Sequence, residues 1–170
     1  MFANQTNTIA GDKVFNAGSD FTGLAGRLAK LVNSGGVAVL SAIAALTDIP
    51  TFVVVDDNVV GKPVTGRPLS PGYNVRVTLK GACNPSDVLV IADPAVAADA
   101  GKVRVLPAVA GVYVQVGYAE ETGADGQLLL FRPDLKLVRV KSADTITVAA
   151  DLAALKVALL ALLEAQGIVV

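Results

Sequence analysis

The chain has 170 residues, a formal net charge of −1 and no histidine, with 53% hydrophobic and only 17% charged residues. Its 14 basic residues are scattered, so it lacks the cationic stripe that neutralises nucleic-acid phosphates. With a mean hydropathy of +0.58, it carries more apolar area than one domain-sized core can absorb, which predicts burial against other chains.

A membrane is the weaker destination for that surface. A spanning helix needs about 20 apolar residues without charge. The Gly36–Leu46 run ends at Thr47, Asp48 and Pro50, and the C-terminal leucine-rich run contains Asp151, Lys156 and Glu164. Met1–Lys13 lacks the basic start and apolar centre of a signal peptide.

Residues 1–20 are polar and without hydrophobic period, which predicts an extended N-terminal arm. From residue 21 to 141 the text changes to short β-branched runs separated by Gly, Pro, Asn and Asp, the pattern of a mainly β domain, a small barrel or sandwich. Leu24, Leu28, Leu31 and Val32 have helical spacing, yet they also read as the first strand of a hairpin turning at Asn33-Ser34-Gly35-Gly36. The hairpin is preferred because Val37–Leu40 is a natural returning strand. Tyr73–Leu79 alternates, with Tyr73, Val75, Val77 and Leu79 on one face. The proline and glycine of Ser70-Pro71-Gly72 give it a turn entrance.

Val37–Ala44 returns as Val103–Ala110, identical at Val37, Val39, Leu40, Ala42 and Ala44, and each copy precedes a β-rich run, Thr51–Val55 or Val112–Val116. The repeat predicts two similar β-units. In Gly111–Pro133, Val112, Val114, Val116 and Tyr118 share one face and Tyr113 and Gln115 the other. The acidic bend Glu120–Gly126 then turns the chain into the apolar return Gln127–Phe131. The bend is read as solvated, with Glu120, Glu121 and Asp125 as its candidate contacts to a partner.

Residues 142–170 form a third region. Val148–Gln166 is Ala- and Leu-rich without interior Gly or Pro, and Gly167 stands at a C′ position, so a C-terminal helix is predicted. Val148, Leu152, Leu155, Leu159 and Leu162 follow the 4-3-4-3 spacing of a bundle seam. A helix of about 18 residues is marginal alone. Self-association, as a homotrimer, and packing on the chain's own β-domain both answer that need.

No catalytic constellation emerges. One cysteine and no histidine provide neither a structural zinc site nor a Ser-His-Asp triad. Cys83 lies among turn formers with no histidine to activate it. Asp56-Asp57 and Glu120-Glu121 are adjacent pairs whose members point apart on a strand, a poor dyad. No enzyme, metal or cofactor is expected.

With these residues set out, the region 11–140 resembles the small β-rich decoration, or cement, proteins and head-fibre proteins on capsids of tailed bacteriophages. The resemblance rests on FNAGSDFTG, on GGVAVLSA…IPTFVVVDD and on GKVRVLPAVAGVYVQVGYAEETGADGQLLLFRP. Its core is Gly117-Tyr118-Ala119-Glu120-Glu121, the small-residue turn Gly123–Gly126 and the apolar Leu128–Phe131. The ending ADLAALKVALLALLEAQGIVV is similar to the helical C-terminus of some head-fibre and decoration proteins. The resemblance implies a trimer on the capsid surface of a virion, seated on the major capsid protein and stabilising the shell. The alternative is a fibre-type module binding host-surface carbohydrate, against which the 5% aromatic content and absent tryptophan argue.

Overall fold

The computed structural model describes residues 11–140 together with residues 156 and 157. Its strands are β1 (Lys13–Ala17), β2 (Leu28–Ser34), β3 (Val37–Ala42), β4 (Phe52–Val54) and β5 (Pro63–Pro68), then β6 (Val75–Lys80), β7 (Val88–Ile91), β8 (Val103–Val105), β9 (Gly111–Ala119) and β10 (Leu128–Val140). The first five close a barrel in the order β1-β3-β2-β4-β5, and the second five close another in the order β6-β8-β7-β9-β10. The circuits are identical. Each contains one parallel pair, β1 with β3 and β6 with β8, among antiparallel neighbours.

The two similar units expected from the repeat are therefore present, but as two closed barrels rather than one barrel or sandwich built jointly. The reason lies in the end strands. Lys13–Asn16 pairs with Pro63–Gly66, and Val75–Thr78 pairs with Leu128–Phe131, so each unit's first strand closes on its own last strand. Neither unit is left with an edge along the closed circuit to share with the other.

The repeat lands on equivalent strands, β3 and β8, but in a shifted register. Ala17 pairs with Leu40 and the matching Leu79 pairs with Val103, so Leu40 rather than Val37 is the structural counterpart of Val103. Both are fully buried, whereas Val37 is exposed. A shift of odd length exchanges the faces of a strand, and identical letters in Val/Ala-rich text cannot fix it.

A better match runs through the last strands. Gly61 and Gly126 both sit at φ 78° and both donate a backbone hydrogen bond to the end of their barrel's first strand, at Ala17 and Leu79. Arg67-Pro68 then corresponds to Arg132-Pro133. Phe52 on β4 packs over Gly66 on β5, while in the second barrel Gly117 on β9 lies under Phe131 on β10. The aromatic has changed strands, and the glycine has moved opposite to make room for it. Gly26 and Ser86 complete the correspondence, each donating its N–H to the carbonyl that ends the fourth strand of its barrel, Val54 or Ala119. Both have positive φ, 79° and 72°.

Lys13–Ala17 falls inside the arm expected over residues 1–20, and here the expectation is corrected. Phe15 meets Phe52 edge to face at 5.0 Å, and Ala17 is buried. Five residues give too few alternations for their period to be visible in sequence. Residues 1–10 lie outside the described residues.

The hairpin reading of residues 28–42 holds. Ser34 pairs with Val37, leaving Gly35 and Gly36 as a two-residue loop with φ of 60° and 87°, the positive values that a twisted hairpin favours. Asn33 Oδ1 accepts the Gly36 N–H at 2.8 Å. Val75, Val77 and Leu79 are buried on one face of β6, as their alternation predicts.

The barrels are joined by packing and by hydrogen bonds. Leu28, Ile43 and Val53 of the first belong to the apolar cluster of the second. Leu28 N donates to Gly101 O at 2.7 Å and Thr78 N to Gly26 O at 2.8 Å. The Arg27 guanidinium donates to the carbonyls of Ala98 and Ala100. The seam Val148, Leu152, Leu155, Leu159 and Leu162 lies outside the described residues; Lys156 and Val157, between them, are helical and exposed.

Candidate functional site

The acidic bend between β9 and β10 is held by its own barrel, which corrects the expectation of a merely solvated turn. Glu121 Oε1 accepts the Leu130 N–H at 2.8 Å and the Arg76 guanidinium at 2.8 Å. Arg76 also donates to Leu128 O at 2.9 Å. The Leu130 amide first, and then Arg76 against some desolvation, hold the Glu121 carboxyl below its ordinary value. Asp125 Oδ1 accepts the Gly81 N–H at 2.8 Å, and that bond lowers its carboxyl pKa. Glu120 faces Arg132 at 3.3 Å.

The first barrel repeats the device. Asp56 Oδ1 accepts the Thr65 N–H at 2.6 Å and Oδ2 the Thr65 hydroxyl at 2.8 Å. Asp56 reaches nine residues ahead to Thr65, as Glu121 does to Leu130. Asp57 turns the other way and accepts the N–H groups of Gly23 and Ala25, both at 2.9 Å. Asp56 and Asp57 serve different segments, and Glu120 and Glu121 hold different groups, the Arg132 side chain and the Leu130 amide with Arg76, so neither pair works as a dyad. Reading the loops as solvent-facing misses this, although an acid eleven residues before an Arg-Pro, Asp56 before Arg67 and Glu121 before Arg132, is a signal the sequence carries.

The exposed face of β9 and β10 carries a second constellation. The β7–β9 register skips Val116, passing from Leu89↔Gly117 to Val90↔Gln115, and β9–β10 shifts between Pro133 and Lys136. The bulges break the expected alternation. Val114 and Val116 are buried as expected, but Ala119 replaces Tyr118 on that face and Gln115 is only 1% exposed. Gln115 Nε2 donates to Asp134 Oδ2 at 3.1 Å, and Lys136 Nζ donates to the same oxygen at 2.8 Å and to the Tyr118 hydroxyl at 3.0 Å. Arg132 and Lys136 lie 5.6 and 5.4 Å from the Tyr118 ring centroid. Lys136, then Gln115, lower the Tyr118 phenol pKa, while Asp134 raises that of Lys136. Asp134 offsets the charge of Lys136 and Glu120 that of Arg132, so the cluster ties down the bulge and presents an aromatic face flanked by cations.

Cys83 is buried in the second core, and desolvation raises its thiol pKa, the opposite of what an activated nucleophile needs. Among the described residues no cluster of three or more carboxylate or thiol side chains could hold a metal. Among them, too, no helix is long and apolar enough to cross a membrane.

These features define a protein of paired, duplicated five-stranded barrels whose loop carboxylates are used for architecture. No protein-family model and no curated protein matches the chain. Among solved structures it is similar to the N base of head fibre gp8.5 from bacteriophage phi29, with a TM-score of 0.53 and 22% identity. The likeness covers 73% of this chain and 93% of that one. At that identity it establishes a shared fold.

Proposed function

We propose that the chain is a structural virion protein of a tailed phage, a head-fibre or decoration protein that sits on the outer capsid surface and stabilises the shell. The observation that carries this reading is the fold it shares with a head-fibre base across nearly the whole length of that base. The hydrophobic excess and the use of carboxylates as loop locks are in keeping with it. The protein assembles as a homotrimer, aided by the Val148–Leu162 seam, and docks on the major capsid protein. Glu120, Glu121 and Asp125 lie at the docking surface, where the outward-facing parts of their carboxylates meet basic groups of the shell.

Co-sedimentation with capsids stripped of surface proteins tests this reading. Saturable binding that weakens as salt rises is the expected result, since exposed charge pairs are screened. Absence of shell binding, with retention on immobilised host glycans, would overturn it in favour of a recognition module.

A further inference from the structure

The two units differ most at one connection. Gly35 and Gly36 alone join β2 to β3, whereas the equivalent strands β7 and β8 are joined by a strap, Ala92–Lys102. This added chain grips the first barrel. Leu28 N donates to Gly101 O at 2.7 Å, and Arg27 Nη1 donates to Ala98 O at 3.0 Å and to Ala100 O at 2.7 Å. The approach is close. A Cβ on Gly101 would lie 2.9 Å from Leu28 O and 3.0 Å from Arg27 Cβ, and the residue sits at φ 74°.

The strap has little apolar side chain with which to hold that shape. Ala95, Val96, Ala97 and Ala98 are exposed, and no residue from Asp93 to Lys102 belongs to either apolar cluster. Over the same stretch the one buried side chain is that of Asp99, which is also the one charged residue buried among the described residues. Each of its oxygens faces a lysine. Lys102 Nζ donates to Oδ1 at 3.0 Å, and Lys80 Nζ on β6 lies 3.3 Å from Oδ2. Lys102 first, against some desolvation, and then Lys80 hold the carboxyl below its ordinary pKa. The Asp99 backbone takes part as well, its N–H donating to Val96 O at 2.8 Å and its carbonyl accepting the Lys102 N–H at 2.9 Å. The carboxylate thus pins the middle of the strap to β6, and the carbonyls on either side of it are the two that Arg27 takes. Removing one partner of a buried charge pair is costly because the other is left uncompensated, whereas an exposed pair contributes little.

We propose that the strap is a latch fixing the two barrels relative to each other, and that Asp99 is the positioning residue that keeps it shut. With the carboxylate in place, the Ala98 and Ala100 carbonyls are aimed at Arg27 and the barrels move as one body. Without it the strap relaxes, and the barrels are left joined by apolar packing, the Thr78–Gly26 hydrogen bond and the linker of residues 69–74, about which they turn.

The test is Asp99→Asn in the full-length chain, which keeps the shape of the side chain and removes its charge. Hydrogen exchange should quicken on the order of tenfold at the Leu28, Ala100 and Lys102 amides while the amides paired across β9 and β10 are unchanged, since local opening needs no global unfolding. Spin labels at Val59→Cys and Val109→Cys, exposed sites on the two barrels, should give one narrow distance distribution in the native background and a broader one with Asp99→Asn. Lys102→Gln leaves Asp99 with Lys80 alone and should give an intermediate result. It reads the same amides and the same distance if Asp99→Asn does not fold. Exchange at Leu28 that quickens in step with the β9–β10 amides would make Asp99 an ordinary stabilising residue of its barrel and overturn the proposal. A distance distribution that the variants leave unchanged would overturn it too.

Discussion

At the scale of single residues, Gly117 shows how tightly the second barrel is closed. A Cβ there would collide with the Arg132 carbonyl and press on the Phe131 ring. The collision is with backbone, so β9 and β10 would have to separate. Gly117→Ala is expected to cost about 1–3 kcal/mol or more, the range of overpacked cores, read as a fall in thermal midpoint. Glu121 invites a different comparison. It supplies the acceptor for a partly buried amide, whereas Glu120 only faces an exposed arginine. Glu121→Ala is therefore expected to lower Tm further than Glu120→Ala, because an orphaned amide costs more than a lost surface pair. The pH dependence follows from the same geometry. Glu121, Asp125 and Asp12 have carboxyl pKa values lowered by the Leu130 amide, the Gly81 amide and the Arg67 guanidinium respectively. A depressed folded pKa gives stability that is fully present above the unfolded values of 4.5 and 3.8 and lost as pH falls through the folded ones. Tm should hold on the neutral side and drop below about pH 4, with a shallower acid limb in Glu121→Gln. An unchanged limb would remove Glu121 from the linkage.

At the scale of elements, the return strand β10 divides its apolar residues between two environments. Leu129 and Phe131 are buried in the barrel, while Leu128 is half exposed at the seam between barrels, beneath Gly26. Truncation to Ala is expected to cost about 2–5 kcal/mol at Leu129 and about 3–5 at Phe131. Leu128→Ala should cost clearly less, since part of its surface already meets water. Chemical denaturation of the three variants checks the order. Equal losses at Leu128 and Leu129 would mean that the seam is packed as tightly as the barrel interior.

At the scale of the whole molecule, the two barrels are expected to unfold together. Leu28, Ile43 and Val53 extend one apolar cluster across the junction, and Arg27 satisfies two carbonyls of the facing loop. Calorimetry should give a single cooperative transition for the native chain. Arg27→Ala combined with Leu28→Ala should broaden or split it, because each barrel retains its own closed ladder. Two transitions in the native protein would show that the junction is too weak to couple them.

Much of the local architecture was legible in the chain. Gly35-Gly36 after Asn33 specified a hairpin because only a loop with two positive φ angles suits the twist of the strands it joins. The alternation of Val75, Val77 and Leu79 specified a strand and its buried face, and the recurrent Val-x-Val-Leu text pointed to two similar units, though in a register three residues from the structural one. What the tertiary structure decided were the relations between distant segments. Closure of two separate barrels depends on whether β1 meets β5 or a strand of the other unit, and both choices satisfy the same local pattern. The true register of the repeat, the exchange of phenylalanine and glycine between paired strands, and the capture of Glu121 by Leu130 and Arg76 are likewise cross-strand facts. Propensity and period act along the chain over a few residues, whereas pairing partners, bulges and carboxylate acceptors are chosen by which strands become neighbours in space.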